Sequence, residues 1–184
     1  MLVILSGSSG VGKNTIINRL LAENDQFALM PTMTTRPMRE GESQWNPYYF
    51  VTRPEFEACI QRNEMLEYCE IHGNLYGTSR KILEEKQAGG KILLKDIDVE
   101  GTLNLTRLLP SVVSIYLKPK SRQQLVERLT GRGETQIELR LKRYDYEESM
   151  AQHYKYVLVN DRIEDTLAEI RKIIGQEISK EKIK

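Results

Sequence analysis

The chain has 184 residues, 40% of them hydrophobic and 29% charged, which favours one compact α/β domain with small insertions over two full domains and excludes a disordered chain. The formal net charge of +1 gives no reason to expect a nucleic-acid partner or an anionic membrane surface. An anionic ligand must therefore be held by local clusters of basic residues.

The first predicted elements are a buried strand, a glycine-rich turn and an amphipathic helix. Residues 2–5 form a continuous apolar run, which is typical of a strand buried on both faces of a parallel sheet. Apolar residues then recur at helical spacing from Ile16 to Leu21. A strand, a glycine turn and a helix in this order open a βαβ layout.

The stretch 32–78 has a different character and predicts a small, strand-rich insertion that carries a binding site. Prolines and tyrosines cluster in it, with β-branched residues between them. Thr52 and Glu55 fit a capping box, and Phe56 and Ile60 give the following residues an apolar face. We therefore expect one helix inside the insertion.

After the insertion, the alternation of helices and strands resumes. We expect a helix over 79–87, strands over 92–94, 112–117 and 156–159, a helix capped by Ser121 with Gln124, and a last helix with one apolar face from Ile163 to Ile174. The polar tail over 177–184 is expected to fray. The proposed division is a core of 1–31, 79–120 and 145–184, an insertion of 32–78 and a helical lid of 121–144.

The glycine-rich turn has the composition of a phosphate-binding loop. Residues 7–13 fit the pattern G-x-x-x-x-G-K, whose glycines let backbone N–H groups face inward while the next helix N-terminus favours negative charge. Lys13 would reach the β- and γ-phosphates of ATP. A flexible surface turn can match this pattern by chance, but here it lies between a buried strand and an amphipathic helix. The residues expected to bind ATP are Gly7, Ser8, Ser9, Gly10, Val11, Gly12, Lys13, Asn14 and Thr15.

The expected magnesium contact departs from this pattern. Asn14 stands where Ser or Thr would offer a hydroxyl to Mg²⁺, although its side-chain carbonyl oxygen can still ligate the metal or a metal-bound water. Thr15 cannot replace it, because the next helical residue points roughly 100° away around the axis. Asp96 ends an apolar strand beside the loop and is the second predicted metal ligand.

A loop with two arginines predicts a second anion site. Arg36 and Arg39 lie on either side of Pro37, which prevents a regular helix, so both guanidinium groups can converge on one anion. Solvated surface arginines are the alternative explanation. The cysteines, Cys59 and Cys69, have no partner at metal-ligand spacing, so we expect reduced, half-buried packing residues in a cytoplasmic protein. The apolar run at the start of the chain is too short for a signal peptide or a membrane span.

Over nearly its whole length, the chain resembles the guanylate kinase family. The matching segments occur in family order: the glycine loop, Thr32–Glu42, Tyr48–Phe50, Met65–Glu67, Gly73–Thr78, Asp96–Gly101, Gly131–Gly133 and Val159–Asp161. The resemblance implies a P-loop NTPase fold with a parallel-sheet core, a GMP-binding insertion and a helical lid. It also implies a kinase that transfers a phosphoryl group from ATP to GMP with Mg²⁺, and it adds Asn160 to the ATP site.

The resemblance also assigns the residues of the GMP site. It implies that the GMP phosphate is held by Arg36, Arg39, Tyr48 and Tyr76. It implies that Glu67, Thr78 and Thr32 bind the guanine, with Asp98 at its edge and Asp96 beside the substrates. The chemistry agrees, because guanine presents N1–H and N2–H donors side by side and one carboxylate accepts both. Adenine has an acceptor at N1 and would leave that carboxylate unpaired.

The charged segment before residue 144 is implied to be the lid. Arg128, Arg132 and Arg140 match arginines that the family swings over the ATP phosphates, and with Lys13 and Arg36 they form the expected catalytic set. A solvated basic helix face is the competing explanation, especially for Arg140 and its neighbour at position 143. No protein nucleophile is expected, because phosphoryl transfer needs positive charge around the moving group more than covalent help.

Two further features depart from the family pattern. The segment after Gly133 is shorter than the usual family lid by about one helical turn, which shifts the register at Arg140. Lys95 stands where the family carries an apolar residue, and it either snorkels to the strand end or pairs with an acid near the site. The sequence leaves both alternatives open.

Two other functions are weighed against a GMP kinase. One is a guanylate-kinase-like module that has lost catalysis and binds protein segments, which Asn14 and Lys95 favour and Lys13 opposes. The other is a related kinase that acts on a ribose phosphate, which would leave Glu67 and Thr78 unused. The expected partners are the small-molecule nucleotides ATP and GMP, with no nucleic acid and no membrane, and the oligomeric state stays open.

Overall fold

The computed structural model describes residues 1–131 and 133–181. Its elements in chain order are β1 (Leu2–Ser6), α1 (Lys13–Glu23), β2 (Phe27–Leu29), β3 (Thr32–Thr34), β4 (Tyr48–Phe50), α2 (Arg53–Gln61), β5 (Met65–Ile71), β6 (Asn74–Ser79), α3 (Arg80–Ala88), β7 (Ile92–Asp96), α4 (Val99–Leu108), β8 (Val113–Lys118), α5 (Arg122–Thr130), α6 (Ile137–Ser149), a short 3-10 helix (Ala151–His153), β9 (Tyr156–Val159) and α7 (Ile163–Glu181). None of these helices combines the length and the apolar character that a membrane span requires.

A parallel sheet forms the centre of the fold. Five strands pair in the order β2-β7-β1-β8-β9, and every pairing is parallel. Val3 on β1 lies beside Leu94 on β7 and Val113 on β8. The side chains of β1 alternate between two hydrophobic clusters, one on each face of the sheet. The predicted strand buried on both faces is therefore confirmed, whereas the short edge strand β2 was not predicted.

Each face of the sheet is covered by a different set of elements. Helices α1 and α7 pack on one face through apolar residues such as Leu20 and Ile170. The opposite face packs against α3, α4 and the insertion, whose Phe56, Leu66 and Leu75 belong to one cluster with β1 and β7. The insertion thus shares a hydrophobic core with the main sheet.

The insertion contains a second, four-stranded sheet in the order β4-β3-β6-β5. Between its strands lies α2, which begins after Thr52 as the capping-box pattern predicted. Thr52 accepts a bond from the backbone N–H of Glu55, and the Glu55 carboxylate accepts a 2.7 Å bond from the Thr52 N–H. Phe56 is fully buried beneath this helix start. The cap and the buried ring together fix where α2 begins.

Helices α5 and α6 form a separate small layer. Ser121 accepts a 3.1 Å bond from the Gln124 N–H and caps α5 as predicted. The two helices pack through Leu125, Leu129 and Leu141, a cluster distinct from both faces of the main sheet. Helix α6 continues through residue 149, so the lid limit proposed at residue 144 falls inside it.

The expectations for two other regions are corrected by the structure. Cys59 is half-buried as expected, but Cys69 is exposed, and both thiols are free. The fraying expected from Glu177 onward is wrong for 177–181, because α7 continues to residue 181. The Glu177 carboxylate is buried and bonds to Lys155, Lys180 and Tyr156, two of which come from a distant segment.

Replacing Glu177 by Gln should destabilise the protein in a pH-dependent way. Burial opposes ionisation of Glu177, but the bonds from Lys155, Lys180 and Tyr156 outweigh it and lower its pKa to about 2. Since the folded pKa lies below the unfolded value of 4.5, the stabilisation is complete above the unfolded value and is lost as the pH falls towards 2. We expect Glu177→Gln to lower the free energy of unfolding by about 1–3 kcal/mol at pH 7.

Urea unfolding of both proteins at pH 7 and pH 3 measures this difference. The difference in the free energy of unfolding between wild type and Glu177→Gln should be smaller at pH 3 than at pH 7. Exposed Glu169, which pairs with Lys172 on the same helix, provides the matched control Glu169→Gln. An equal difference in the free energy of unfolding at both pH values would contradict the lowered pKa of Glu177.

Candidate functional site

The loop between β1 and α1 adopts a backbone that requires glycine. Gly7 and Gly12 have φ values of 134° and 107°. A Cβ atom at Gly7 would lie 2.1 Å from the carbonyl oxygen of Leu117, and one at Gly12 would lie 2.6 Å from Nδ2 of Asn160. The loop therefore lies directly against β8 and the end of β9, where no side chain fits.

The first turn of α1 is open to an anion. The helix begins at Lys13, and within the described residues no side chain caps its N-terminus. Its first N–H groups and the helix dipole therefore favour a negatively charged ligand at this point. The Nζ of Lys13 donates to the carbonyl oxygens of Gly7 at 2.6 Å and Ser8 at 3.3 Å, and it lies 3.9 Å from Oδ1 of Asp96.

Two predicted site residues hold the loop from behind. The carbonyl oxygen of Val11 accepts bonds from Asn160 Nδ2 at 2.7 Å and Arg128 Nη1 at 3.2 Å. Asn160 is 1% exposed, and its Oδ1 accepts a 2.8 Å bond from Thr166. Arg128 also donates to the Asn160 carbonyl oxygen at 2.9 Å. Both side chains therefore support the loop backbone, and neither belongs to the lining of the cavities described next.

Two cavities lie at this edge of the sheet. The loop cavity, of about 320 Å³, lies between the glycine loop, the end of β7 and α6. The insertion cavity, of about 540 Å³, lies between the start of α1, the end of β7 and the insertion. Four residues line both cavities: Asn14, Asp96, Ile97 and Asp98. The two cavities therefore meet at the carboxyl end of β7.

The shared wall carries oxygen groups that suit Mg²⁺. Burial raises the pKa of Asp96, and the charges of Lys13 and Lys95 oppose that rise. The Asp96 carboxylate and the Asn14 amide oxygen are hard donors of the type that Mg²⁺ prefers. No cluster of three or more acidic, His or Cys side chains forms a ready-made metal cage in residues 1–131 and 133–181. A magnesium ion here would thus take most of its ligands from phosphates and water.

Helix α6 contributes two arginines to the loop cavity. Arg140 lines it and pairs with Glu134 at 3.2 Å, while Arg143 lines it and pairs with Asp98 at 3.4 Å. Arg143 also donates a 2.9 Å bond to Glu147, a buried acid in the same wall. The i,i+4 spacing of Arg143 and Glu147 is a signal that the sequence analysis did not use.

Of three other predicted residues, one lies outside both cavities, one lines them but also caps a helix, and one is not described. Thr15 is exposed on α1 and lines neither cavity. Asp98 uses Oδ1 to cap α4 through a 2.9 Å bond from the Gly101 N–H, so its other oxygen faces Arg143. Arg132 lies outside the described residues.

Part of the insertion cavity is lined by tyrosines, and the predicted residue Arg36 lies near these rings, but neither it nor the predicted Arg39 is in the cavity lining. Tyr48 and Tyr76 line it with ring centroids 6.1 Å apart, and the Arg36 guanidinium lies 5.1 Å from the Tyr48 centroid. Arg36 pairs with Oε1 of Glu42 at 2.7 Å, and Oε2 of Glu42 accepts a 2.8 Å bond from the backbone N–H of Arg39. Glu42, to which the sequence assigned no role, orients Arg36 and tightens the loop. The Arg39 side chain is exposed.

Another part of the insertion cavity carries paired polar groups from β5 and β6. Glu67 lies opposite Thr78 in the sheet, and the buried Thr78 hydroxyl donates a 2.5 Å bond to Glu67 Oε1. Glu67 lines the cavity, whereas Thr78 lies behind it. Burial raises the pKa of Glu67, and the charge of Lys95 and the bond from Thr78 oppose the rise.

Lys95 is placed between the two sheets and does not reach the strand end. It is fully buried on β7, and its Nζ donates a 2.9 Å bond to Oγ1 of Thr32 on β3. Burial lowers its pKa to about 8, against the opposing charges of Glu67 and Asp96. The structure shows neither alternative that the sequence left open: Lys95 stays between the sheets, and its hydrogen bond goes to a threonine hydroxyl and not to an acid.

The fold and the site together define the class of this protein. A parallel sheet with a glycine loop at the β1–α1 junction and an uncapped helix behind it is the P-loop NTPase fold. A family model described as guanylate kinase matches residues 1–177. The guanylate kinase of Corynebacterium jeikeium (strain K411) is 40% identical over 178 residues, which cover 94% of this chain and 95% of that protein.

Further comparisons agree with this match. A Synechocystis guanylate kinase is 40% identical over 179 residues, covering 96% of this chain and 94% of that protein. The crystal structure of guanylate kinase from Anaplasma phagocytophilum gives a TM-score of 0.72 at 34% identity and covers 96% of this chain and 85% of that one. The chain belongs to the guanylate kinase family.

Replacing Asn160 by Ala should weaken ATP binding through the loop backbone. The change removes the bond to the Val11 carbonyl oxygen, so the loop loses its support from β9. We expect the Kd for ATP to rise about tenfold, the equivalent of one lost hydrogen bond, with little change for the acceptor nucleotide.

Isothermal titration calorimetry with a non-hydrolysable ATP analogue measures this effect. Thr166→Val is the matched control, because it removes the hydroxyl bonds to Asn160 Oδ1 and to the Arg162 carbonyl oxygen but leaves the bond from Asn160 to Val11 in place. An Asn160→Ala variant that is less stable but binds ATP normally would show that the contact serves folding alone.

Proposed function

We propose that this protein transfers the γ-phosphoryl group of ATP to GMP and forms ADP and GDP. The observation that carries the proposal is the shared wall of the two cavities at the carboxyl end of β7. A nucleoside triphosphate in the loop cavity and a monophosphate in the insertion cavity would bring their phosphates together at this wall. Such an arrangement suits direct transfer between two bound nucleotides.

The ATP phosphates would bind to the backbone of residues 7–13 and to the start of α1. The Lys13 ammonium, which lies on the loop carbonyls, would turn towards the β- and γ-phosphates as a mobile point charge. Asn160 and Arg128 would keep the loop N–H groups pointing inward by fixing the Val11 carbonyl. Mg²⁺ would neutralise phosphate charge during transfer, with Asp96 and Asn14 supplying oxygen to it or to its waters.

GMP would bind with its phosphate at the aromatic end of the insertion cavity and its base at the Glu67 end. Tyr48, Tyr76 and the Arg36 guanidinium held by Glu42 offer donors and charge to the phosphate. The Glu67 carboxylate, with one oxygen held by Thr78, would accept from guanine N1–H and N2–H. Adenine would present an acceptor and an amino group in the wrong places.

Transfer would proceed by in-line attack of the GMP phosphate on the γ-phosphorus of ATP. The Lys13 and Arg140 side chains would stabilise charge on the moving group, and the small α5–α6 layer would close over the phosphates and exclude water. No residue needs to form a covalent intermediate. We also propose a cytoplasmic location, since thiols stay reduced there and both cysteines of the chain are free.

A coupled assay of ADP production across GMP, dGMP, AMP, CMP, UMP and ribose bisphosphate, with and without Mg²⁺, tests the function. We expect Mg²⁺-dependent turnover with GMP at least about a hundredfold faster, in kcat/KM, than with AMP. Lys13→Met should abolish turnover while leaving GMP binding intact. A folded protein that turns over none of the acceptors would favour a protein-binding module, and preference for ribose bisphosphate would favour the other kinase.

GMP use should depend on pH through Glu67. The ionised carboxylate accepts the guanine donors, and its pKa is raised by burial, so the KM for GMP should rise as the pH falls through that raised pKa. Steady-state kinetics with GMP and ATP between pH 5 and pH 8 measures this. In Glu67→Gln, the KM for GMP should be at least about a hundredfold higher at pH 7.5, and its acidic rise should disappear.

The KM for ATP shows whether the effect of Glu67→Gln is confined to GMP. It should stay within about threefold of wild type, because Glu67 does not line the loop cavity. Glu70→Gln on the same strand, where the acid is exposed and pairs with Arg53, is the matched control and should change neither KM. Equal losses for GMP and ATP would remove Glu67 from the base site.

A further inference from the structure

A lysine that contacts no solvent lies in the wall between the two sheets. Lys95 is 0% exposed, although lysine is almost never fully buried unless it is paired. It pairs in register with Ile4 in the centre of the parallel sheet. By strand alternation it shares the face of Leu93, the face that packs against the insertion. Its charge is therefore directed at the insertion and not at solvent.

The contact with Thr32 fixes the direction of one hydroxyl. An ammonium group can only donate, so the 2.9 Å bond from Lys95 Nζ occupies an acceptor lone pair of Thr32 Oγ1. Thr32 lines the insertion cavity, and within the described residues its hydroxyl bonds to Lys95 alone. The hydroxyl proton is consequently left for an acceptor in the cavity.

The same ammonium acts on the acid across the cavity. Its charge favours the ionised form of Glu67, against the burial of that carboxyl. Thr78 already occupies Oε1 of Glu67, so the remaining acceptor capacity faces the cavity. The lining of the insertion cavity therefore includes a hydroxyl donor on β3 and a carboxylate acceptor on β5, with β6 between the two strands.

This pair of groups matches one edge of a base. A 6-oxopurine offers a carbonyl acceptor next to an N1–H donor, whereas a 6-aminopurine offers an amino donor next to an N1 acceptor. A Thr32 donor together with a Glu67 acceptor complements the first pattern and opposes the second. If the Thr32 hydroxyl could rotate freely, it would serve either base, because a hydroxyl both donates and accepts.

We propose that Lys95 is a specificity-determining positioning residue, which holds the Thr32 hydroxyl as a donor to the cavity that Glu67 also lines and so sets the preference for a 6-oxopurine. Lys95 does not touch the substrate and acts through Thr32. The proposal rests on the proposed function of the insertion cavity as the acceptor-nucleotide site. It requires only that the cavity binds a purine monophosphate, whether or not transfer follows.

Lys95→Met, which keeps the length of the side chain and removes the charge, tests the proposal. We expect the KM for GMP to rise about 10- to 100-fold while kcat at saturating GMP and the KM for ATP stay within about threefold. Discrimination between GMP and AMP in kcat/KM should fall at least about tenfold. Lys91→Met, at an exposed position just before β7, is the matched control and should change none of these values.

Two further variants separate the positioning role from a purely structural one. Lys95→Gln keeps a neutral donor for Thr32, so it should lose less discrimination than Lys95→Met, and it covers the case in which the Met variant does not fold. In a Thr32→Val background, Lys95→Met should reduce the discrimination between GMP and AMP much less than it does alone, because Lys95 acts through Thr32. Parallel losses of thermal stability, kcat and both KM values would overturn the proposal, as would unchanged discrimination.

Measurements of nucleotide binding test the role of Lys95 independently of catalysis. Calorimetric titration of wild type and variants with GMP and with AMP measures base preference without turnover. If wild type binds GMP in preference to AMP but transfers no phosphoryl group, the proposed function fails and the role of Lys95 is still decided by the variants. If wild type binds neither nucleotide, or binds both equally, the role of Lys95 is overturned.

Discussion

The parallel pairing of β1 with β7 is the constraint on which the site depends. It sets Leu5 beside Asp96, so the glycine loop that follows β1 and the acid that ends β7 emerge at the same edge of the sheet. Side chains from the carboxyl ends of parallel strands meet at such an edge, where α/β proteins bind their ligands. A shift of one residue in this register would move each of Asp96 and Lys95 to the face opposite its present one and would separate the two cavities.

The insertion and the α5–α6 layer are attached to the main sheet with different strength. The insertion places Phe56, Leu66 and Leu75 in one core with the main sheet, and burying each such side chain stabilises the fold by about 1.5–3 kcal/mol. The α5–α6 layer is held internally by the cluster around Leu125 and Leu129, and Arg128 on α5 ties it to the glycine loop and to Asn160 by hydrogen bonds. The α6 side is joined to α4 by exposed ion pairs such as Arg143 with Asp98, which contribute little, so it is held less firmly than the insertion.

The sequence predicted elements well wherever local pattern decides the structure. The buried strand β1, the capping box at Thr52 and the cap at Ser121 depend on neighbours in the chain, and all three are present. The short strand β2 has too few residues for a period to be visible. The order of α7 at Glu177 depends on Lys155 and Tyr156, which no local pattern connects to it.

The site residues show the same limit. Motif spacing predicted that Asn160 and Arg128 lie near the phosphates of ATP. Only the folded chain shows that both side chains donate hydrogen bonds to the Val11 carbonyl oxygen. The partner of Lys95 could not be predicted either, since a lysine at the end of an apolar strand can reach either solvent or an acid. Its direction is decided by the packing of the insertion against β7, a contact between segments far apart in the sequence.

The charges along the two cavities alternate in sign, which lowers the cost of holding a fully buried lysine among partly buried charges. The order from the glycine loop to β5 is Lys13, Asp96, Lys95 and Glu67, and the ionised form of each acid is favoured by the charge of a lysine. A buried charge without such a partner would cost several kcal/mol or lose its ionisation. Because Asp96 is influenced by both lysines, the charge of Lys95 acts on the acid at the shared wall as well as on Glu67. The two ends of the site are therefore linked by electrostatics as well as by the shared wall.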